Sequence, residues 1–236
     1  MRRETQNVLL LLLGGALLKI AVTGDYLRYV KPAHRPWLLA AGAVIVLLGA
    51  VAMIRDIRAA RQPTTVHEHH HPARSAWLLM VPVLAVFLVA PPALGSDSVT
   101  RARGGTAAPA GSGTSFPPLP PGAVVALRLT DFVSRAGWDE AGSLNGRTVS
   151  LTGFLVHSEQ GTLLARMVIG CCAADGFPVR VQLRGEQADG LPADTWVEVT
   201  GQVVPDVNTA ASGGYTPAFT VRTLRQVPEP PDPYEY

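Results

Sequence analysis

The chain has 236 residues, 47% of them apolar and 16% charged, with a formal net charge of +2. Charge this sparse and evenly spread leaves no basic stripe for nucleic acid and no charge run that asks for an acidic partner. The apolar residues crowd into roughly the first ninety positions, which points to a membrane segment followed by a domain of ordinary composition.

Three stretches are candidate membrane spans. The first, VLLLLLGGALLKIAVTG over residues 8–24, contains Lys19. A lysine at the middle of a span costs about 2.5–3.5 kcal/mol, and less near a helix end, where the side chain reaches the headgroups. Arg2 and Arg3 precede it as in a signal peptide, but no small-residue cleavage site follows cleanly before Asp25, Tyr26 and Leu27, so the segment is expected to stay attached. The second, WLLAAGAVIVLLGAVAMI over residues 37–54, is uncharged and long enough to cross with little tilt. The third, AWLLMVPVLAVFLVAPPAL over residues 76–94, carries Pro82 and ends on Pro91 and Pro92, a kink that neighbouring helices tolerate in lipid.

Between the second and third spans lies VHEHHH, with His67, Glu68, His69, His70 and His71. Such a tract binds transition metals through imidazole nitrogen, and it serves equally as a solvated connector. With the N-terminus inside, the inner segments hold Arg2, Arg3, Arg55, Arg58, Arg61 and Arg74, against Arg28, Lys31, Arg35, Arg101 and Arg103 outside. The excess of one charge places the C-terminal domain outside the cytoplasm of a multi-pass cell-membrane protein.

Residues 95–122, GSDSVTRARGGTAAPAGSGTSFPPLPPG, are rich in Gly, Ser, Thr, Ala and Pro and poor in core-forming side chains, so a flexible tether is expected. From residue 123 onward the pattern changes. LTDFVSRAGW reads as a short helix capped by Thr130 or Asp131. Asn145-Gly146 then turns into RTVSLTGFLVHS, a strand bent at Gly153 with Val149, Leu151, Phe154 and Val156 alternating. Strands follow at ARMVIGC, FPVRVQLRG, DTWVEVTGQVV and PAFTVRTLRQV. The expected architecture is therefore membrane α-helices plus an all-β domain over residues 123–236, a small OB-like β-barrel, with a β-sandwich of the same strands as the alternative. The terminal PEPPDPYEY is expected to run extended along the surface with its tyrosines as docking points.

The only two cysteines are adjacent, Cys171 and Cys172. Neighbouring Cα atoms sit about 3.8 Å apart, whereas a relaxed disulfide needs roughly 4.4–6.8 Å, so the pair is a poor staple. Three uses stay open. In a regular strand one thiol would be buried and the other would point away, with no site at all. If Gly170 and Gly176 release the backbone from the pleat, both sulfurs converge on a soft ion such as zinc, with Asp175 or His157 as a further ligand or supporting group. Reversible dithiol chemistry is the third use, although no C-x-x-C, helix N-terminus or nearby lysine is there to lower a thiol pKa. A closed zinc site takes four ligands, so a partner would have to complete this one. No G-x-S-x-G, H-E-x-x-H, P-loop or G-x-G-x-x-G occurs, and Asp139, Glu140, Glu186 and Asp189 fall in turn-like places, so an enzyme is not expected.

TGDYLRYVKP, the histidine-rich loop, VPVLAVFLVAPPAL, NGRTVSLTGF, ARMVIGCCAADGFPVRVQL, DTWVEVTG and the terminal PYEY together resemble the two-domain bacterial membrane proteins described as permease subunits, whose C-terminal part is a domain of unknown function. The resemblance covers most of the chain, and CCAAD is its most specific block; the family usually has a cysteine in the histidine-rich loop, which this chain lacks. It implies an accessory protein working beside a multispanning permease. Gly14, Gly15, Gly42 and Gly49 would let its helices pack closely against that partner. A membrane-tethered thiol–disulfide oxidoreductase and an OB-type binding module for cell-surface polymer are the rival functions.

Overall fold

The computed structural model describes residues 3–61, 81, 84, 85, 88, 89, 92–102, 116–159, 161–188, 190–205 and 215–236. Most of the third expected span, the whole histidine-rich loop and residues 103–115 of the expected tether lie outside the described residues. The chain divides into two compact units, Met1–Pro92 and Ala93–Tyr236.

In the first unit, helix α1 (Arg3–Thr23) and helix α2 (Arg35–Ala60) are joined by two short 3-10 turns, Asp25–Arg28 and Pro32–His34. Both helices are long and apolar enough to cross a membrane. They run antiparallel, and glycine is what brings them together. A Cβ on Gly14 would sit 2.8 Å from Val46 Cγ2, one on Gly42 2.9 Å from Leu18 Cγ, and one on Gly49 3.1 Å from Leu11 Cδ2. Three of the four glycines expected to meet a partner are therefore spent inside the hairpin, and only Gly15 looks into open space. Near the chain start, Asn7 Nδ2 donates to Asp56 Oδ2 at 2.7 Å; at the opposite end Arg35 Nε donates to the Ala21 carbonyl at 3.1 Å. Val44, Leu47, Leu48, Val51 and Ile54 of α2 stay exposed, the opposite of what a core helix of a soluble protein shows.

The second unit is a mixed seven-stranded sheet with helices. Its elements are α3 (Ser96–Arg101), β1 (Val124–Ala126), α4 (Leu129–Trp138), β2 (Thr148–Ser158), β3 (Gly161–Val168), β4 (Phe177–Arg184), β5 (Trp196–Val203), β6 (Ala218–Gln226) and β7 (Tyr234–Glu235). Strand order is β1-β2-β5-β6-β4-β3-β7, and β2 pairs with β3 as well. Strand β2 has three neighbours, pairing with β1 at Thr148–Ser150, with β5 at Val149–Phe154 and with β3 at Phe154–Ser158. The change from β5 to β3 falls at Phe154, and at the neighbouring Gly153 a Cβ would lie 2.6 Å from the Ala165 carbonyl oxygen, so the close approach of β3 there needs the missing side chain. β7 then takes up β3 at Met167 and Val168, beyond the point where β2 leaves it.

Two apolar clusters result. The main one gathers Leu151, Leu155, Leu164, Val179, Val181, Val197, Val199 and Phe219, with Phe132 of α4 set edge-on to Phe219 at 5.4 Å. The second lies on the other side of β2 and β3: Phe154, Val156, Ala165, Met167, Ile169 and Tyr234 pack with Val99, and Leu94 and Ala173 border them. Alternation along β2 thus sorts its apolar residues into two clusters, Leu151 and Leu155 in one, Phe154 and Val156 in the other.

The second cluster corrects the reading of residues 95–122 as a flexible tether throughout. Val99 of α3 is 2% exposed. Arg180 Nη2 donates to the carbonyls of Val99 at 2.8 Å and Ala102 at 2.7 Å, satisfying the end of α3, and the Ser96 N–H donates to Asp194 Oδ1 at 2.6 Å. One buried valine and a guanidinium on free carbonyls hold a segment whose composition alone gave no reason to order. The C-terminus is corrected as well. Tyr234 is 3% exposed, and its hydroxyl accepts the Leu94 N–H at 3.0 Å. It is part of the packing rather than a surface docking point, whereas Tyr236 remains at the surface, its hydroxyl donating to Asp232 Oδ1 at 2.6 Å.

Helix α4 begins at Leu129, two residues earlier than a cap at Thr130 would set it, and neither Thr130 nor Asp131 caps it. Glu235 does, through both carboxylate oxygens, while Asp131 pairs with Arg128 at 2.9 Å.

Candidate functional site

Strand β3 ends at Val168 and β4 starts at Phe177, and both cysteines stand in the connection between them. Ile169 is fully buried and anchors the start of that connection. Gly170 then has to leave the pleat close beside Asp175, since a Cβ there would lie 2.8 Å from Asp175 Oδ2. Ala173–Asp175 forms a single 3-10 turn, closed by the Asp175 N–H to the Cys172 carbonyl at 3.1 Å and the Gly176 N–H to the Ala173 carbonyl at 3.2 Å. The Asp175 carboxylate folds back over this turn, Oδ1 accepting the Gly170 N–H at 2.8 Å and Oδ2 the Cys171 N–H at 2.7 Å. The loop therefore holds its shape with its own backbone donors.

The sulfurs of Cys171 and Cys172 lie 3.7 Å apart as free thiols, Cys171 exposed and Cys172 half-buried. Neither packs into a cluster, so the expectation of one buried sulfur is not met. Cys171 Sγ, Cys172 Sγ and an Asp175 oxygen all fall within 4.8 Å of one another, and among the described residues no fourth His, Cys, Asp or Glu joins them. Two zinc–sulfur bonds of about 2.3 Å meeting at a tetrahedral angle separate their sulfurs by about 3.8 Å, while a linear two-coordinate ion needs roughly 4.6 Å. The observed spacing matches the tetrahedral case.

Charge in the loop works in one direction. The Asp175 side chain, then the neighbouring Cys172, favours the protonated thiol of Cys171 and pushes its pKa up to about 11. The Asp175 carboxyl is held below the usual carboxylate range, first by its bond with the Cys171 side chain and also by the loop N–H groups. This is a poor setting for a nucleophilic thiolate and a good one for a cation, which reverses the effect of the carboxylate by neutralising it.

The other sequence-derived candidates lie elsewhere. His157 is paired with Thr162 at the opposite end of β3, about 20 Å along the strand from Val168. Its Nε2 is 2.9 Å from the Leu191 carbonyl and its Nδ1 3.4 Å from Thr162 Oγ1. It is not part of the cysteine loop, because β3 runs the full length between them. His67, Glu68, His69, His70 and His71 lie outside the described residues. Asp139 serves its own turn, accepting the N–H groups of Ala141 at 3.1 Å and Ser143 at 3.0 Å.

Residues 5–105 match the DUF1980 N-terminal domain and residues 138–236 the DUF1980 C-terminal domain. No curated protein and no solved structure matches the chain. The N-terminal match runs through α3, which by packing belongs to the second unit, so the family's division and the physical one differ by about a dozen residues. With both matches in order along one chain, this protein belongs to the DUF1980 family.

Proposed function

We propose that this chain is a membrane-anchored, non-enzymatic accessory subunit of a permease, and that its C-terminal domain, outside the cytoplasm, captures a thiophilic divalent cation such as zinc on Cys171, Cys172 and Asp175. The carrying observation is the 3.7 Å spacing of two free sulfurs on an exposed loop whose shape is already set by hydrogen bonds from the third donor. Binding converts two thiols to thiolates and releases two protons, with the ion offsetting two of the cluster's three negative charges. Support for the membrane comes from α1 and α2 and from the exposed aliphatic side chains along α2. An OB-type barrel is the reading of the C-terminal fold that accounts for β2 pairing with both β5 and β3, so that β2-β5-β6-β4-β3 returns to its first strand. Against the rival thiol–disulfide enzyme stands the upward push on the Cys171 thiol, opposite to what an attacking thiolate needs.

The test is cadmium titration of the full chain in detergent micelles, following the ultraviolet thiolate-to-metal charge-transfer band. The native chain gains the band with one equivalent of metal, and the Cys171→Ser/Cys172→Ser double variant does not. Equal absorption from both proteins would remove the cysteines from the site, and a native chain without the band would remove the site.

A further inference from the structure

We propose that the cysteine loop is a hand-over site: it grips its ion with three donors and leaves the fourth position for a donor of the molecule that takes the ion next. This rests on the metal reading above and adds what the site is for. A tetrahedral thiophilic ion seeks four ligands, and a site that only stabilises a fold supplies all four. Here Cys171, Cys172 and Asp175 are the complete set among the described residues, and all come from five consecutive positions. Donors from one turn approach the ion from one side and leave the other side open.

The loop takes its shape from the chain itself: Ile169 is buried at its start, and four backbone N–H groups, of Gly170, Cys171, Asp175 and Gly176, close the turn. On this reading metal held here is cargo, and its release costs the domain no structure.

The position of the loop indicates the taker. Gly176, which closes it, lies against Leu94: a Cβ on Gly176 would meet Leu94 Cδ1 at 2.9 Å. Ala173 and Leu94 border the same apolar cluster. Leu94 is the residue on which the third span is expected to end and the second residue of this unit, so the loop stands beside the segment by which the chain enters the domain. Phe177, next to the loop, is 48% exposed and offers an apolar contact. The acceptor this suits is a membrane-embedded protein presenting a cysteine or histidine at the bilayer surface, the chemistry a permease entrance would need to receive the ion.

The experiment is cobalt substitution of the full chain in micelles. The cobalt d–d bands should shift when imidazole or 2-mercaptoethanol is added, as the outside ligand takes the open position. Transfer of the ion to a chelator should double in rate when the chelator concentration doubles, because the incoming ligand binds before the old ones leave. Bands unmoved by either ligand, with a transfer rate independent of chelator, would mean a closed set of four protein donors; hand-over would fall while the metal reading stands. No thiolate-to-cobalt charge transfer in the native chain would overturn both. Circular dichroism of the same samples with and without cobalt should superimpose, and a loss of ordered structure on removing the ion would show a structural site and overturn the proposal.

Discussion

Glu235 accepts the backbone N–H of Leu129 at 2.9 Å, so the second-last residue of the chain caps a helix that begins 106 residues earlier. Its other oxygen takes the Thr130 N–H at 2.9 Å and the Thr130 hydroxyl, and Arg166 Nε stands 3.9 Å from the carboxylate. The strand β7 that carries Glu235 is thereby tied to α4 as well as to β3. Glu235→Ala is expected to lower stability by about 1–3 kcal/mol, since it orphans two helix N–H groups and takes from the buried Arg166 guanidinium its strongest opposite charge, leaving Asp232. Urea unfolding of the full chain in micelles, followed by tryptophan fluorescence, measures it; a loss below a few tenths of a kcal/mol would show that the cap is dispensable.

The strap at residues 93–102 is held by one buried side chain and a few hydrogen bonds. Val99→Asp should undock it at a cost of about 2–5 kcal/mol of local stability, because a charge would replace an apolar group in the second cluster. Trypsin cleavage after Arg101, read by mass spectrometry, should then speed up relative to the native chain. Arg180→Gln should act in the same direction but less, through the lost bonds to Val99 and Ala102. Unchanged cleavage in Val99→Asp would mean that this segment is not docked in solution.

The glycines of the hairpin divide into two kinds. Gly42→Leu must displace Leu18, at an expected cost of about 1–3 kcal/mol to the α1–α2 pair. A Cβ on Gly15 meets nothing within 4 Å, so Gly15→Leu should leave the hairpin unaffected. If a partner helix packs on α1, Gly15→Leu is the variant that weakens co-purification with it. Cross-linking between cysteines introduced at Leu11 and Gly49 reads hairpin integrity, and equal effects of the two variants would contradict the packing described.

Cys171 should alkylate slowly at neutral pH, its rate climbing about tenfold per pH unit toward a plateau near pH 11, because only the thiolate reacts. The sign follows from the carboxylate beside it, which disfavours a second negative charge. Asp175→Asn removes that carboxylate, the largest single cause, and should bring the thiol part of the way back toward its ordinary pKa of 9.0, raising the thiolate fraction at pH 7.5 on the order of tenfold. A less basic sulfur is also a weaker nucleophile, so the observed gain is about threefold. Measured with iodoacetamide on a Cys172→Ser background, no increase would show that Asp175 does not face Cys171.

Some of this was legible in the linear chain because the determinants are local. An uncharged apolar run is already a helix fit for a membrane, so residues 37–54 were found inside α2. Strand alternation gave the strands for the same reason: a two-residue period is a property of neighbouring residues. The adjacency of Cys171 and Cys172 likewise told that they would not be an ordinary disulfide. Pairing across long separations was not legible. Nothing near Thr130 signals that Glu235 will cap its helix, and nothing in a Gly- and Ser-rich stretch signals that Val99 will find Met167 and Ile169.

Sequence by itself thus determined the two kinds of matter in this protein, apolar helices and a β-rich domain, and the adjacency of its two thiols. Tertiary structure alone decided which candidates meet: Asp175 joins the cysteines because the turn after β3 folds its carboxylate back onto the loop, and His157 does not because the length of β3 separates it from them. The physical reason is that residue type is written locally, whereas proximity depends on which strands pair and where each one ends.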